Sequence, residues 1–174
     1  MAEMRIVVVL WLAMAAGCAT QPGAAGLAMP SDDETEAAYL LAGYLMGRGW
    51  TVRLAEPAEI EASRDSESLR LMPLLDAQGL DRILLSRRWP AAEEAGDEDL
   101  AAFASELNHS LNVGLFSPLD DSLGFEASLV FLDVLEPQLL DAFLAFTAEV
   151  RQAVLQVQGE RRLLAPVEGE MTSR

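Results

Sequence analysis

The chain has 174 residues, 28 of them acidic and 12 basic, for a formal net charge of −16, and every one of the 12 is Arg. With 51% hydrophobic residues it can bury a core, which excludes a wholly disordered protein. So anionic a chain is unsuited to phosphate backbones and no nucleic-acid partner is expected, while a single Cys excludes an internal disulfide framework and any multi-Cys metal site.

In chain order, Met1 to Arg5 precede an apolar run from Ile6 to Ala16, followed by Gly17-Cys18. The run falls short of the roughly 20 apolar residues that cross a bilayer. One Arg, a short apolar stretch and then small residues form the layout of a secretory signal peptide. Ordinary cleavage after Ala13-Met14-Ala15 would leave Cys18 as a free thiol near the new terminus. The placing of the only Cys after Ala15-Ala16-Gly17 resembles the lipobox of bacterial lipoproteins, with Ala15 where Leu is commoner. That resemblance implies residues 1–17 as a removed leader and Cys18 as a lipidated first residue, with covalent lipid as the one attached group and no other cofactor. It implies attachment to a membrane without crossing it, at about 0.8 kcal/mol per buried methylene. Ala19 after the Cys implies sorting to the outer membrane of a Gram-negative cell, with the domain facing the periplasm. Ala19 to Pro30 carries no charge and is rich in Gly, Ala and Pro, so residues 18–30 are expected to form a tether spanning roughly 20 Å.

The folded part is expected over 31–158. Ser31-Asp32-Asp33-Glu34 reads as a capping box with Ser31 as the cap, opening a helix with Ala37, Leu40, Leu41, Tyr44 and Leu45 inward, stopped by Gly47-Arg48-Gly49. Trp50 to Leu54 alternates as a half-buried strand does. A short strand near Ile60 follows, then a hairpin from about Leu69–Leu75 and Leu80–Arg87, in which Pro73 points to an edge or a bulge and helix is the competing reading of Leu69–Leu75. Trp89 to Gly96 reads as an acidic loop. Asp97 starts a second helix with Leu100, Phe103, Ala104, Leu107 and Leu111 on one face and acids in the first turn, where the macrodipole favours them. Val113–Leu119 and Leu123–Val134 flank the Asp120-Asp121-Ser122 turn as a hairpin, with Phe125, Ala127, Leu129 and Phe131 on one side. Pro137 suits a first helical position, and the third helix runs to about Gln158, with Leu139, Leu140, Phe143, Leu144, Val150, Val154 and Leu155 available for burial. Residues 159–174 read as a loosely ordered tail. The fold class expected is α+β, three helices packed on an antiparallel sheet of about five strands in the order α-β-β-β-α-β-β-α.

The stretch Leu100 to Leu132, with Glu106-Leu107-Asn108, Val113-Gly114-Leu115-Phe116, the Asp120-Asp121 turn and the apolar strand through Phe131, resembles the YbjN family of bacterial sensory transduction regulators. The resemblance implies the fold of type III secretion chaperones, and places Asn108 and Gly114-Leu115-Phe116 at the family's helix-to-strand junction. Those chaperones are dimeric and hold extended segments of client proteins. A homodimer, a protein client and a binding role for Asn108 and Phe116 are thereby implied, with no catalytic motif to carry over.

Residue chemistry offers little else. His109, the only His, lies opposite the Leu100–Leu107 face and is expected in solvent. No nucleophile elbow, P-loop or dinucleotide fingerprint is present. The pairs Asp32-Asp33, Asp97-Glu98-Asp99 and Asp120-Asp121 lack the spacing of a calcium loop, so no metal is expected. Asn108 also has a plain role as a partner for nearby backbone, and Arg87-Arg88 and Arg161-Arg162 read as solvated islands. A membrane-anchored, non-catalytic protein-binding module is the leading expectation. A secreted enzyme using carboxylates assembled by the fold, or a structural envelope lipoprotein, are the alternatives.

Overall fold

The computed structural model describes residues 26–30, 32–55, 57–65, 67–76 and 80–166. The leader, Cys18 and Ser31 lie outside these residues, as do positions 77–79 in the turn of the expected hairpin.

The first helix, α1 (Glu34–Gly47), is capped by Asp33, whose side chain accepts from the Glu36 amide at 2.9 Å. The Glu34 carboxylate accepts from the Leu75 amide at 3.4 Å. The buried stripe is Ala37, Ala38, Leu41, Ala42 and Leu45, while Leu40 is exposed and Tyr44 only half-buried. Small alanines let the helix lie close to the sheet, and that rotates the stripe away from the larger Leu40.

Four strands follow, one at each segment read as a strand and one more than the expected element order counts: β2 (Thr51–Ala55), β3 (Glu59–Arg64), β4 (Glu67–Leu74) and β5 (Asp81–Pro90). Each pairs antiparallel with the next, and β5 runs on through Trp89-Pro90, so the acidic loop begins only at Ala91. Pro73 sits opposite Ile83 in the β4–β5 ladder. Pairing of β3 with β4 stops at Ile60↔Leu71, so no β3 residue is paired with the ring nitrogen's side of β4 there. The second helix, α2 (Asp97–Ser110), buries Leu100, Phe103, Ala104 and Leu107 as its spacing predicts. Then β6 (Leu115–Leu119) and β7 (Ser122–Phe131) form the hairpin, and β7 pairs along its whole length with β5. The sheet order is β2-β3-β4-β5-β7-β6, six strands and all antiparallel.

The third helix, α3 (Pro137–Gln158), has Pro137 in its first turn and ends at Gly159, whose φ of 56° suits a residue without Cβ. It buries Leu140, Leu144, Thr147, Val150, Arg151 and Val154 and leaves Leu139 outside. All three helices cover one face of the sheet, where Ile60, Ala62, Leu69, Leu71, Ile83, Leu85, Phe116, Leu123 and Phe125 form the core.

Two stretches expected to be loose belong to the fold. Leu27–Ala28 forms a strand, β1, that pairs antiparallel with β8 (Val134–Leu135), and Met29 is buried, so the domain starts within the stretch read as tether. Apolar Leu27 and Met29 gain more from packing there than from solvent. At the other end, Leu164 is buried, bridges to Ala91, and donates its backbone N–H to the Gln158 side-chain oxygen at 2.8 Å. Arg161 grips the Glu106 carboxylate with two nitrogens and lies over the Phe103 ring, so the chain beyond α3 is tied down through residue 166.

Candidate functional site

The two places where the sheet ends, β6 and β2, decide what this domain can hold. A terminal strand carries unpaired N–H and C=O groups and is a template for another chain unless something blunts it.

At β6 the blunting is specific. The Asn108 side chain donates to the Phe116 carbonyl and accepts from the Phe116 amide, both at 2.8 Å. A carboxamide presents the same donor and acceptor as a peptide group, so Asn108 stands where the backbone of a seventh strand would pair. Two residues on, Pro118 has no N–H to offer. The strand is held from beneath by packing. Phe116 is 2% exposed, its ring centroid lies 4.9 Å from that of Phe125, and both stack toward Trp89 at 6.4 and 6.1 Å. Gly114 leads into β6 so close to β7 that a Cβ there would meet the Glu126 carbonyl at 2.5 Å and the Phe125 ring at 2.6 Å. Asn108 and Phe116, the residues expected to bind, are thus brought together, and their polar groups are engaged with each other. His109 is exposed on the last turn of α2.

At β2 the rim is different. The strand pairs only with β3, and among the described residues no side-chain hydrogen bond reaches its backbone. Beside it, α1 and the β2–β3 turn enclose a groove of about 530 Å³ lined by Thr35, Ala38, Tyr39, Leu54, Ala55 and Pro57. Tyr39 is 64% exposed and Leu54 36%. The groove therefore joins an unpaired strand rim to a wall of mixed polar and apolar character, and strand addition uses such a rim beside side-chain pockets: backbone bonds for affinity, alternate pockets for selectivity. The expected site residues did not include this groove. The signal available in the sequence was Tyr39, apolar yet off the stripe that faces the sheet.

The sheet face away from the helices carries charge in register. Arg53, Glu61 and Arg70 stand side by side on β2, β3 and β4, Arg53 paired with Glu61 and Arg70 3.1 Å from Glu59. These exposed pairs organise the face but contribute little stability.

One cationic island is not solvated as expected. Arg87 is 4% exposed, because alternation along β5 sends it to the helix-covered face, 3.7 Å from Glu67 and 3.3 Å from the Thr147 hydroxyl. Burial pushes its guanidinium pKa down and the neighbouring Arg151 charge acts the same way, against the pull of Glu67. Its Nε has no partner. Between α1 and α3, the Tyr44 hydroxyl lies 2.8 Å from Asp141 and accepts from Arg48, which also pairs with Asp141 at 2.8 Å. Partial burial, then the Asp141 hydrogen bond, raise the Tyr44 phenol above its usual value. Among the described residues no group of three or more His, Cys, Asp or Glu is placed to hold a metal ion, and no helix is long and apolar enough to cross a membrane.

No family model matches the chain, and no curated protein matches it. Among solved structures, it is similar to the crystal structure of YbjN from E. coli, described as a candidate transcription regulator. The two share 20% of residues with a TM-score of 0.54, over 72% of this chain and 93% of that one. At that identity the likeness shows the fold, and the fold of this chain is YbjN-like.

Proposed function

We propose that this chain is a lipid-anchored binding module, its YbjN-like domain facing the periplasm and holding an extended segment of a partner protein along β2. It works by contact and not by catalysis. The observation that carries the binding half is the contrast at the sheet ends: the β6 rim is occupied by Asn108, whereas the β2 rim lies open beside a groove. The anchoring half rests on the sequence, in which the only Cys follows an apolar run and three small residues.

Each half has its own test. Fed a fatty acid carrying a clickable tag, cells should label the wild-type protein and not Cys18→Ser; an unlabelled wild type removes the anchor. A photo-reactive amino acid at Leu54 should capture a partner in intact cells, and one at Leu115 on the closed rim should not. Capture at Leu115 alone would move the site; a cross-link between two copies would make the partner a second molecule of this chain.

A further inference from the structure

We infer that the end of the sheet where the N-terminal strand enters is the domain's membrane-facing surface, and that its occupant is the lipid bilayer itself; this rests on the lipid-anchor reading above. Four apolar side chains are left in solvent at this end: Leu80 is 53% exposed, Val130 45%, Leu132 66% and Val134 48%. They are neighbours by register. Asp81↔Phe131 is the last pair of the β5–β7 ladder on this side, so Leu80 and Leu132 flank its end, and Val130 stands one step inside, opposite Arg82. Val134 continues the patch through its bridge with Leu132.

The chain enters the fold at the same place. Ala28 pairs with Val134, and Gly26 sits so close that a Cβ on it would fall 2.4 Å from the Val134 side chain. Eight residue steps separate Gly26 from Cys18, which even fully extended cannot exceed about 29 Å. From end to end the ten-residue β7 is about 30 Å long, so laying the Asp120–Asp121 turn on the lipid would require those eight steps to be almost fully drawn out, whereas the patch reaches it at any extension. A short leash attached inside an apolar patch turns that patch toward the surface the leash is fixed to. Exposed apolar side chains then enter the interface, with Arg82 at their rim available to phosphate headgroups and Asp133 beside them left to water.

Mature protein extracted from envelopes, its Cys18 acylation confirmed by mass, would be placed in phosphatidylethanolamine–phosphatidylglycerol vesicles whose acyl chains carry bromine. Tryptophan emission is read as the difference from wild type, since Trp50 and Trp89 are buried. Leu132→Trp should lose most of its emission and shift to the blue, Val130→Trp should do the same to a smaller extent, and Asp120→Trp should lose none. Full emission at all three positions in an acylated protein overturns the membrane-facing surface and leaves the anchor standing, and equal quenching at all three overturns it as well. A blue shift that follows protein concentration in unbrominated vesicles overturns it in favour of a second copy. A bare Cys18 defeats the anchor reading and this inference together.

Discussion

β6 and β2 end the same sheet, yet one rim is closed by a side chain and the other is left to solvent. The closed rim belongs to the better packed half, where Trp89, Phe116 and Phe125 meet and Gly114 allows the backbones to touch. The open rim lies over α1, whose inward stripe is three alanines and two leucines and whose outward Tyr39 and Leu40 remain in water. On the reading proposed above, the rim offered to another chain sits over the smaller side chains of α1.

Substitutions can break this contrast. Phe116→Ala should cost most, about 3–5 kcal/mol in denaturant unfolding, through the cavity left in the aromatic cluster; a cost no larger than that of an exposed residue would mean the β6 half is not the rigid one. Asn108→Leu removes two hydrogen bonds at about 1 kcal/mol each and uncovers the Phe116 backbone, so stability should fall by about 2 kcal/mol. Light scattering should report new self-association in the same variant, and Asn108→Asp, which keeps the acceptor, should show about half the loss. If Asn108→Leu shows no self-association beyond that of the wild type, the side chain is not what protects that rim.

At β2 the order of effects should invert. Leu54→Asp should change stability by no more than about 0.5 kcal/mol, as for exposed positions, while abolishing partner capture; retained capture would place the partner elsewhere. The smallest effect concerns the α1–α3 contact. With its pKa raised in the fold, Tyr44 keeps its proton after the unfolded chain has lost it, so stability should fall as pH climbs from about 10 through the raised value. Tyr44→Phe should flatten that alkaline slope, and an unchanged slope would assign it to another group.

Much of the scaffold was legible because it obeys simple periods. The α2 face, the inward row of β7 and the start and stop of α3 follow directly from spacing, Pro137 and Gly159. What was not legible depends on partners distant in sequence. Nothing local to Arg87 announces that Thr147 and Glu67 will meet it, or that β5 alternation will carry it inward. Leu27–Ala28 looked like tether because a two-residue strand has no period; only β8 makes it one. Asn108 was singled out correctly as a junction residue, but its bond to Phe116 spans a turn whose geometry the residue types leave open. The β2 groove was invisible for a similar reason, since an empty rim is a property of the whole sheet order.

The β5–β7 ladder joins the two halves of the chain across α2, and its pairs are not equally remote. Pro90↔Ser122 closes the shortest loop, and each further pair toward Asp81↔Phe131 closes a longer one. Closure entropy grows with loop length, so the ladder forms like a zip from its Pro90 end, once the β2–β5 meander and the β6–β7 hairpin have each formed locally. Mutations near Trp89 should therefore slow refolding, while those near Phe131 should mainly hasten unfolding.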